Sequence, residues 1–233
     1  MKEIAQIRKL SLWIFLIPFI GINLCLLISV NSSLLENTFF TVDHIGRSNF
    51  TIPYLDGSLS ISRASRTFPQ YLIFKPAMIL TSIMLYFYWK NNNALINILN
   101  NSSFNYKFKT FGILSAIFLA IHSILLGVEF DLKLFKFLRR VVLLGFIIFE
   151  IIAQALLVYS LYKLKEIIEN KISKIVLKFK IVLVSSLSIV AIFSIPLLIV
   201  KGNIHFKHGL EWNFFIGVIL FYLLTRFFWK RTT

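Results

Sequence analysis

Residues 60–90 read SISRASRTFPQYLIFKPAMILTSIMLYFYWK, and within them a polar loop passes without a break into an apolar run long enough to span a membrane. Ser60, Ser62, Arg63, Ser65 and Arg66 gather hydroxyl and guanidinium groups in seven residues, Pro69 and Gln70 end the loop, and the apolar run begins at Tyr71. Guanidinium forks and hydroxyls suit the oxygens of a phosphate, so a lipid headgroup fits this boundary. The plainer reading is an extracytoplasmic loop that needs polar side chains.

Outward from this stretch, composition sets the class. A chain of 233 residues that is 58% hydrophobic and 15% charged is too apolar for an ordinary soluble domain, and its apolar residues come in blocks of spanning length. The fold class expected is all-α: a polytopic membrane protein whose single integral domain, residues 1–233, is a six-transmembrane-helix bundle. The formal charge of +15 suggests nucleic acid in a soluble protein. Here the basic residues sit mainly between apolar blocks, where orientation and anionic lipid account for them, so no nucleic-acid partner is expected. Cys25 is the single cysteine, which excludes a disulfide framework and a cysteine-based metal site.

The spans read as about 10–30, 71–89, 111–130, 141–162, 181–200 and 210–229. Lys2, Arg8 and Lys9 precede the first, and Asn31-Ser32-Ser33 after it makes no convincing cleavage site, so it reads as an uncleaved span. Pro18 and Asn23 inside it invite a kink or an internal hydrogen bond. Residues 31–70 form the long first outer loop, too long for a simple connector. Residues 90–109 read as an Asn-rich connector, and residues 131–140 as a short outer loop crowded by Lys133, Lys136, Arg139 and Arg140. With the N-terminus inside, 15 of the 25 Lys and Arg residues fall on the cytoplasmic side and nine on the other, with Lys75 in a span. This places both termini in the cytoplasm. Residues 163–180 alternate lysines with Ile167, Ile168, Ile172, Ile175 and Val176, which suits either a solvated positive loop or a helix against an anionic inner leaflet.

Pro53-Tyr54-Leu55, then Ser60-Ile61-Ser62-Arg63-Ala64, then Pro69 to Lys75 followed by an apolar span, resembles the signature of the six-span FRAG/DRAM/SFK family. That family includes the damage-regulated autophagy modulators, the post-GPI-attachment-to-proteins factor and the N-terminal part of a yeast cell-wall protein involved in GPI-lipid remodelling. The resemblance implies six spans, cytoplasmic termini, and a role in lipid-anchor remodelling or lipid distribution. It carries no metal or other cofactor. In the GPI branch an Arg stands where this chain has Lys75, and a His and an Arg where it has Thr81 and Leu85. Glu129 resembles the acidic residue that closes the family's third span, and Glu211-Trp212 echoes an acidic-aromatic pair in the last.

Ionisable groups inside spans need their own account. A charge at the bilayer centre costs about 2.5–3.5 kcal/mol on insertion scales, so Glu150 must be neutral, paired or in a wet cavity. Gln154 follows it at i+4 on the same face. His122 is its expected partner, because the two lie at nearly equal distances from the outer ends of spans three and four. Lys75, one turn inside its span, either snorkels to the interface or ends a basic track from Arg63 and Arg66. His205 and His208 read as a plain loop pair rather than half of a metal site.

Three functions follow. The first is binding and handling of membrane lipid, with Ser60, Ser62, Arg63, Arg66, Gln70 and Lys75 as lipid-binding residues. The second is a membrane-embedded acyl-transfer enzyme with Glu150, His122 or Glu129 in acid-base roles. The third is a proton-coupled transporter using Glu150 and His122, which needs a polar path through an inner half that looks poor in polar residues. Expected partners are membrane lipids, including anionic lipid at the cytoplasmic face. The host is a bacterial cytoplasmic membrane, or in a eukaryote an endoplasmic reticulum, Golgi or lysosome-type membrane.

Overall fold

The computed structural model describes residues 2–31, 51–101, 106–128, 133–199 and 202–230. These form eight α-helices: α1 (Lys2–Val30), α2 (Pro53–Asp56), α3 (Ile61–Ser65), α4 (Tyr71–Leu99), α5 (Lys107–Leu125), α6 (Lys133–Lys163), α7 (Lys174–Ile199) and α8 (Ile204–Phe228). Six of them, α1 and α4 to α8, are long and apolar enough to cross a membrane, so the protein is an integral membrane protein of six spans. Each long helix packs on the next one, and α8 returns to pack on α1, which closes the six into a ring.

Between helices in lipid there is little hydrophobic driving force, and close packing has to hold them together. Small residues allow it. Gly21 lies against Ala77 at the α1–α4 contact, Gly112 against the Trp89 ring at α4–α5, and Gly217 against Leu187 at α7–α8, each too tight for a larger residue without a shift. The centre is aromatic: Tyr88, Trp89, Phe108, Phe221, Tyr222, Phe228 and Trp229 are all buried. Large apolar residues such as Phe19, Leu80, Ile121, Ile148, Phe179, Ile192 and Phe193 stay exposed on the outside of the ring, where lipid covers them.

The helices run past the limits expected from hydropathy. α4 continues through residues 90–99, so most of the Asn-rich connector is helix. Asn92 donates to the Tyr88 carbonyl at 2.8 Å, and Asn93 accepts from the Tyr106 backbone N–H at 3.0 Å, ordering the entry to α5. Residues 133–140 are likewise not a loop but the first turns of α6. Hydropathy finds the apolar core of a helix and misses the polar turns that extend it beyond the hydrocarbon.

Residues 163–180 also differ from a single surface helix. α6 ends at Lys163, a 3₁₀ turn covers Glu169–Lys171, and Ile172 pairs with Trp229 in an isolated antiparallel bridge. Ser173 N–H donates to the Phe228 carbonyl at 2.9 Å and Lys230 N–H to the Lys171 carbonyl at 2.9 Å, fastening this turn to the end of α8. Glu169 is held below the usual carboxylate range by its hydrogen bond from Lys174, an exposed pair open to screening by salt.

At the opposite end α2 and α3 form a cap over α1 and α8. Gly57 ends α2 in the left-handed region at φ 58°, and a Cβ there would lie 1.7 Å from the His205 carbonyl oxygen. Only glycine meets both conditions. Gly57→Ala is expected to destabilise the protein by about 2 kcal/mol or more, read as a lower midpoint of thermal unfolding in detergent. Gly209→Ala, whose added carbon meets ordinary contacts of 3.8 Å or more, is expected to leave the midpoint nearly unchanged.

Candidate functional site

Two places gather polar chemistry, one at the cap and one in the middle of the ring.

The cap is held by the residues of the opening stretch, working mostly as folding devices. Pro53 starts α2, and Asp56 accepts the Ile52 and Ser58 N–H groups at 3.2 and 2.7 Å, closing the turn around it. Ser60 is the N-cap of α3 and accepts the Arg63 N–H at 3.2 Å. The Ser62 N–H reaches Glu211 Oε1 at 3.4 Å. Trp212 donates to the Leu59 carbonyl at 2.7 Å and meets the Tyr54 ring edge-on, while the Tyr54 hydroxyl donates to Asn23 at 2.9 Å. His208 Nδ1 sits 3.0 Å from the Gly57 carbonyl. Gln70 is buried, its carbonyl accepting from the Cys25 thiol at 3.3 Å and its side-chain amide lying between Thr67 and Ser29. Of the six residues expected to bind lipid, Ser60, Ser62 and Gln70 therefore hold the cap to itself and to its neighbours. Arg63 is exposed, Arg66 is half-buried, and Lys75 is half-buried with its ammonium 5.4 Å from the Tyr71 ring.

The cap edge also forms an open cavity of about 460 Å³ against α8, lined by Tyr54, Leu55, Asp56, His205, Phe206, Gly209, Leu210 and Asn213. Its polar groups come from Asp56, His205 and Asn213. Leu55 is 85% exposed beside it and Phe206 50% exposed. Burial raises the Tyr54 phenol above its ordinary range, so that hydroxyl stays a donor to Asn23. His205 and His208 thus have separate roles, one lining the cavity and the other against Gly57.

In the ring, Glu150 is fully buried and accepts from three helices' worth of donors. Ser115 Oγ on α5 donates to Oε2 at 2.5 Å, and Gln154 Nε2 on α6 donates to Oε1 at 2.9 Å and to the Val218 carbonyl at 3.2 Å. The Tyr222 hydroxyl on α8 also donates to Oε1. Tyr88 packs edge-on against Tyr222 at 4.9 Å, and its hydroxyl lies 3.2 Å from Thr225 Oγ1. Thr225 accepts in turn from the ammonium of Lys180 at 2.7 Å, which rests 3.9 Å from the centre of the Phe221 ring.

His122 is not the partner of Glu150. Ser115 takes that place, two helical turns along α5, and His122 Nδ1 has no hydrogen-bond partner among the described residues. The cause is the early start of α6: beginning at Lys133 rather than Val141 moves Glu150 inward by about 12 Å. Glu129 lies outside the described residues. Lys180, expected among the solvated lysines, is fully buried. Its spacing gives the signal, since Leu177, Lys180, Val184 and Leu187 fall on one helical stripe, and the other three are buried. Nothing in the local sequence points to Ser115, Tyr88, Tyr222 or Thr225, each an ordinary residue of an apolar helix.

Comparison with protein-family models, curated proteins and solved structures finds no match for this chain.

Glu150→Ala leaves the buried Tyr222 hydroxyl without its acceptor and Ser115 and Gln154 with only the Gly112 and Val218 carbonyls, and is expected to cost about 3 kcal/mol or more. Glu150→Gln keeps an acceptor oxygen and is expected to lose less than half of that. Unfolding midpoints of both variants in the same detergent distinguish the two.

Proposed function

We propose that this protein binds and handles membrane lipid at the capped end of the bundle. The observation that carries the reading is the cavity between α2 and α8. It offers the His205 ring and the remaining acceptor capacity of Asp56 and Asn213, whose other polar contacts go to the surrounding backbone, within reach of exposed apolar surface on Leu55 and Phe206, where α8 begins. An amphiphile needs both at once: polar partners for its headgroup and apolar contact for the start of its chains.

Arg63, Arg66 and Lys75 add positive charge to the same end of the molecule. The likeness of Pro53–Leu55, Ser60–Ala64 and Pro69–Lys75 to the six-span FRAG/DRAM/SFK pattern supports the same reading, with lipid-anchor remodelling or lipid distribution between leaflets as the specific task. Acyl transfer has less support. It needs Glu150 and His122 to converge on one substrate, whereas they lie two turns apart and Glu150 is enclosed by its own donors.

Native mass spectrometry with lipid identification tests the proposal on wild type, a His205→Ala, Phe206→Ser variant and an Arg63→Ala, Lys75→Ala variant. Wild type is expected to retain a defined phospholipid or glycolipid, and the cavity variant to lose about tenfold in retention. A lesser loss in the second variant assigns its residues to charge attraction alone. Equal and unselective retention by all three proteins overturns the reading.

A further inference from the structure

The groups around Glu150 do more than satisfy one carboxylate. Tyr222 and Thr225 stand three residues apart on one face of α8, about 5–6 Å between their Cβ atoms. The first binds Glu150, and the second binds Lys180 and Tyr88. At 1.5 Å per residue, Lys180 lies about 9 Å along α7 from its start at Lys174, and Glu150 about 20 Å from the end of α6 at Lys163. An acid deep in the ring and a base near the end that carries the termini therefore each bind a hydroxyl of α8, and the two hydroxyl groups meet at the Tyr88–Tyr222 ring contact. Tyr88, Asn92, Lys180 and Thr225 are buried in this half, so it is not poor in polar groups.

A purely structural role explains Lys180 badly. Its ammonium has three N–H donors, and its hydrogen bond goes to Thr225 while the rings of Phe221 and Phe228 face it at 3.9 and 5.4 Å. Among the described residues no carboxylate forms a salt bridge with it. A methionine or leucine would fill the same space without the desolvation of an amine. Ionisable groups that face the interior of a bundle, rather than lipid, mark ion and proton paths.

We infer that Glu150 and Lys180 are the two ends of one proton-exchanging cluster, joined through the hydroxyls of Tyr222, Tyr88 and Thr225, which takes up and releases a proton at the end of the bundle carrying the termini. In the exchange, the O–H bond of a protonated Glu150 breaks and an N–H bond forms on a Lys180 amine. Each hydroxyl between them accepts one proton as it releases its own, Thr225 turning its hydrogen from the Phe221 carbonyl, 2.9 Å away, toward the Lys180 amine, so proton number and charge balance. Between Tyr222 and Tyr88 the contact is ring to ring at 4.9 Å, so this step requires a water to enter between the two hydroxyls. The groups facing Glu150 come from three helices, Ser115 on α5, Gln154 on α6 and Tyr222 on α8, with Tyr88 on α4 behind Tyr222. This inference does not depend on the lipid reading.

Infrared difference spectroscopy on the full chain in lipid bilayers, with the bulk pH stepped up and down, tests it. The expected result is a carboxyl band that rises and falls reversibly with pH, is missing from Glu150→Gln, and has its midpoint displaced by about tenfold in proton affinity in Lys180→Met. Thr225→Val keeps both ionisable groups and breaks the file of hydroxyls between them, and is expected to slow the response to a pH jump about tenfold. A wild-type carboxyl signal that ignores pH overturns the inference. So does a Lys180→Met midpoint and a Thr225→Val rate both equal to wild type, with circular dichroism showing the variants folded. Should Lys180→Met not assemble, the Thr225→Val rate decides alone.

Discussion

A carboxyl group in the middle of a six-helix ring cannot be left to itself. With no water to solvate it, Glu150 has to be met by donors from the helices around it, and those donors fix how the helices stand. Ser115 sets the height of α5 against α6, and Tyr222 with the Val218 carbonyl sets α8 against both. Apolar contacts alone leave such helices free to slide by a turn, because one leucine is much like another. One acid with three donors on three helices admits a single register.

α8 links the two ends of the molecule. Its first turns carry the cap, through His208, Glu211, Trp212 and Asn213, while its last turns carry Phe221, Tyr222 and Thr225 in the ring and Phe228 against the α6–α7 turn. A rigid helix of this length joins whatever happens at the cap cavity to whatever happens around Lys180. That gives the proposed lipid handling at one end and the proposed proton exchange at the other a common element on which to act.

The polar loop shows how a sequence pattern can be rich in chemistry and still serve mainly the fold. Pro53, Asp56, Gly57 and Ser60 are each a turn or cap residue placed where the backbone needs one, and the Ser60 hydroxyl that suits a phosphate is occupied by the Arg63 N–H. The amphiphilic cavity lies beside them, between α2 and α8, and draws five of its eight lining residues from about 150 positions later in the chain. Only the cationic Arg63, Arg66 and Lys75 remain of the original set as groups with charge to offer at this end of the bundle.

By itself the sequence determined that six helices cross a membrane, because spanning length and apolar composition are local properties of each segment. It also marked Glu150 and Gln154 as one buried polar face, because i and i+4 share a side of any helix. The partners of Glu150 were decided by tertiary structure alone. Helix depth depends on where each helix starts, and the polar turns at Lys133–Arg140 and Lys90–Leu99 are invisible to hydropathy, so Ser115 rather than His122 came to face the acid. Lys180 was likewise settled only when α8 packed on α7 and buried it. Its place on the stripe of Leu177, Val184 and Leu187 aims it inward, but whether a lysine near a helix end snorkels to water or turns toward a threonine is a choice that the neighbouring helix makes.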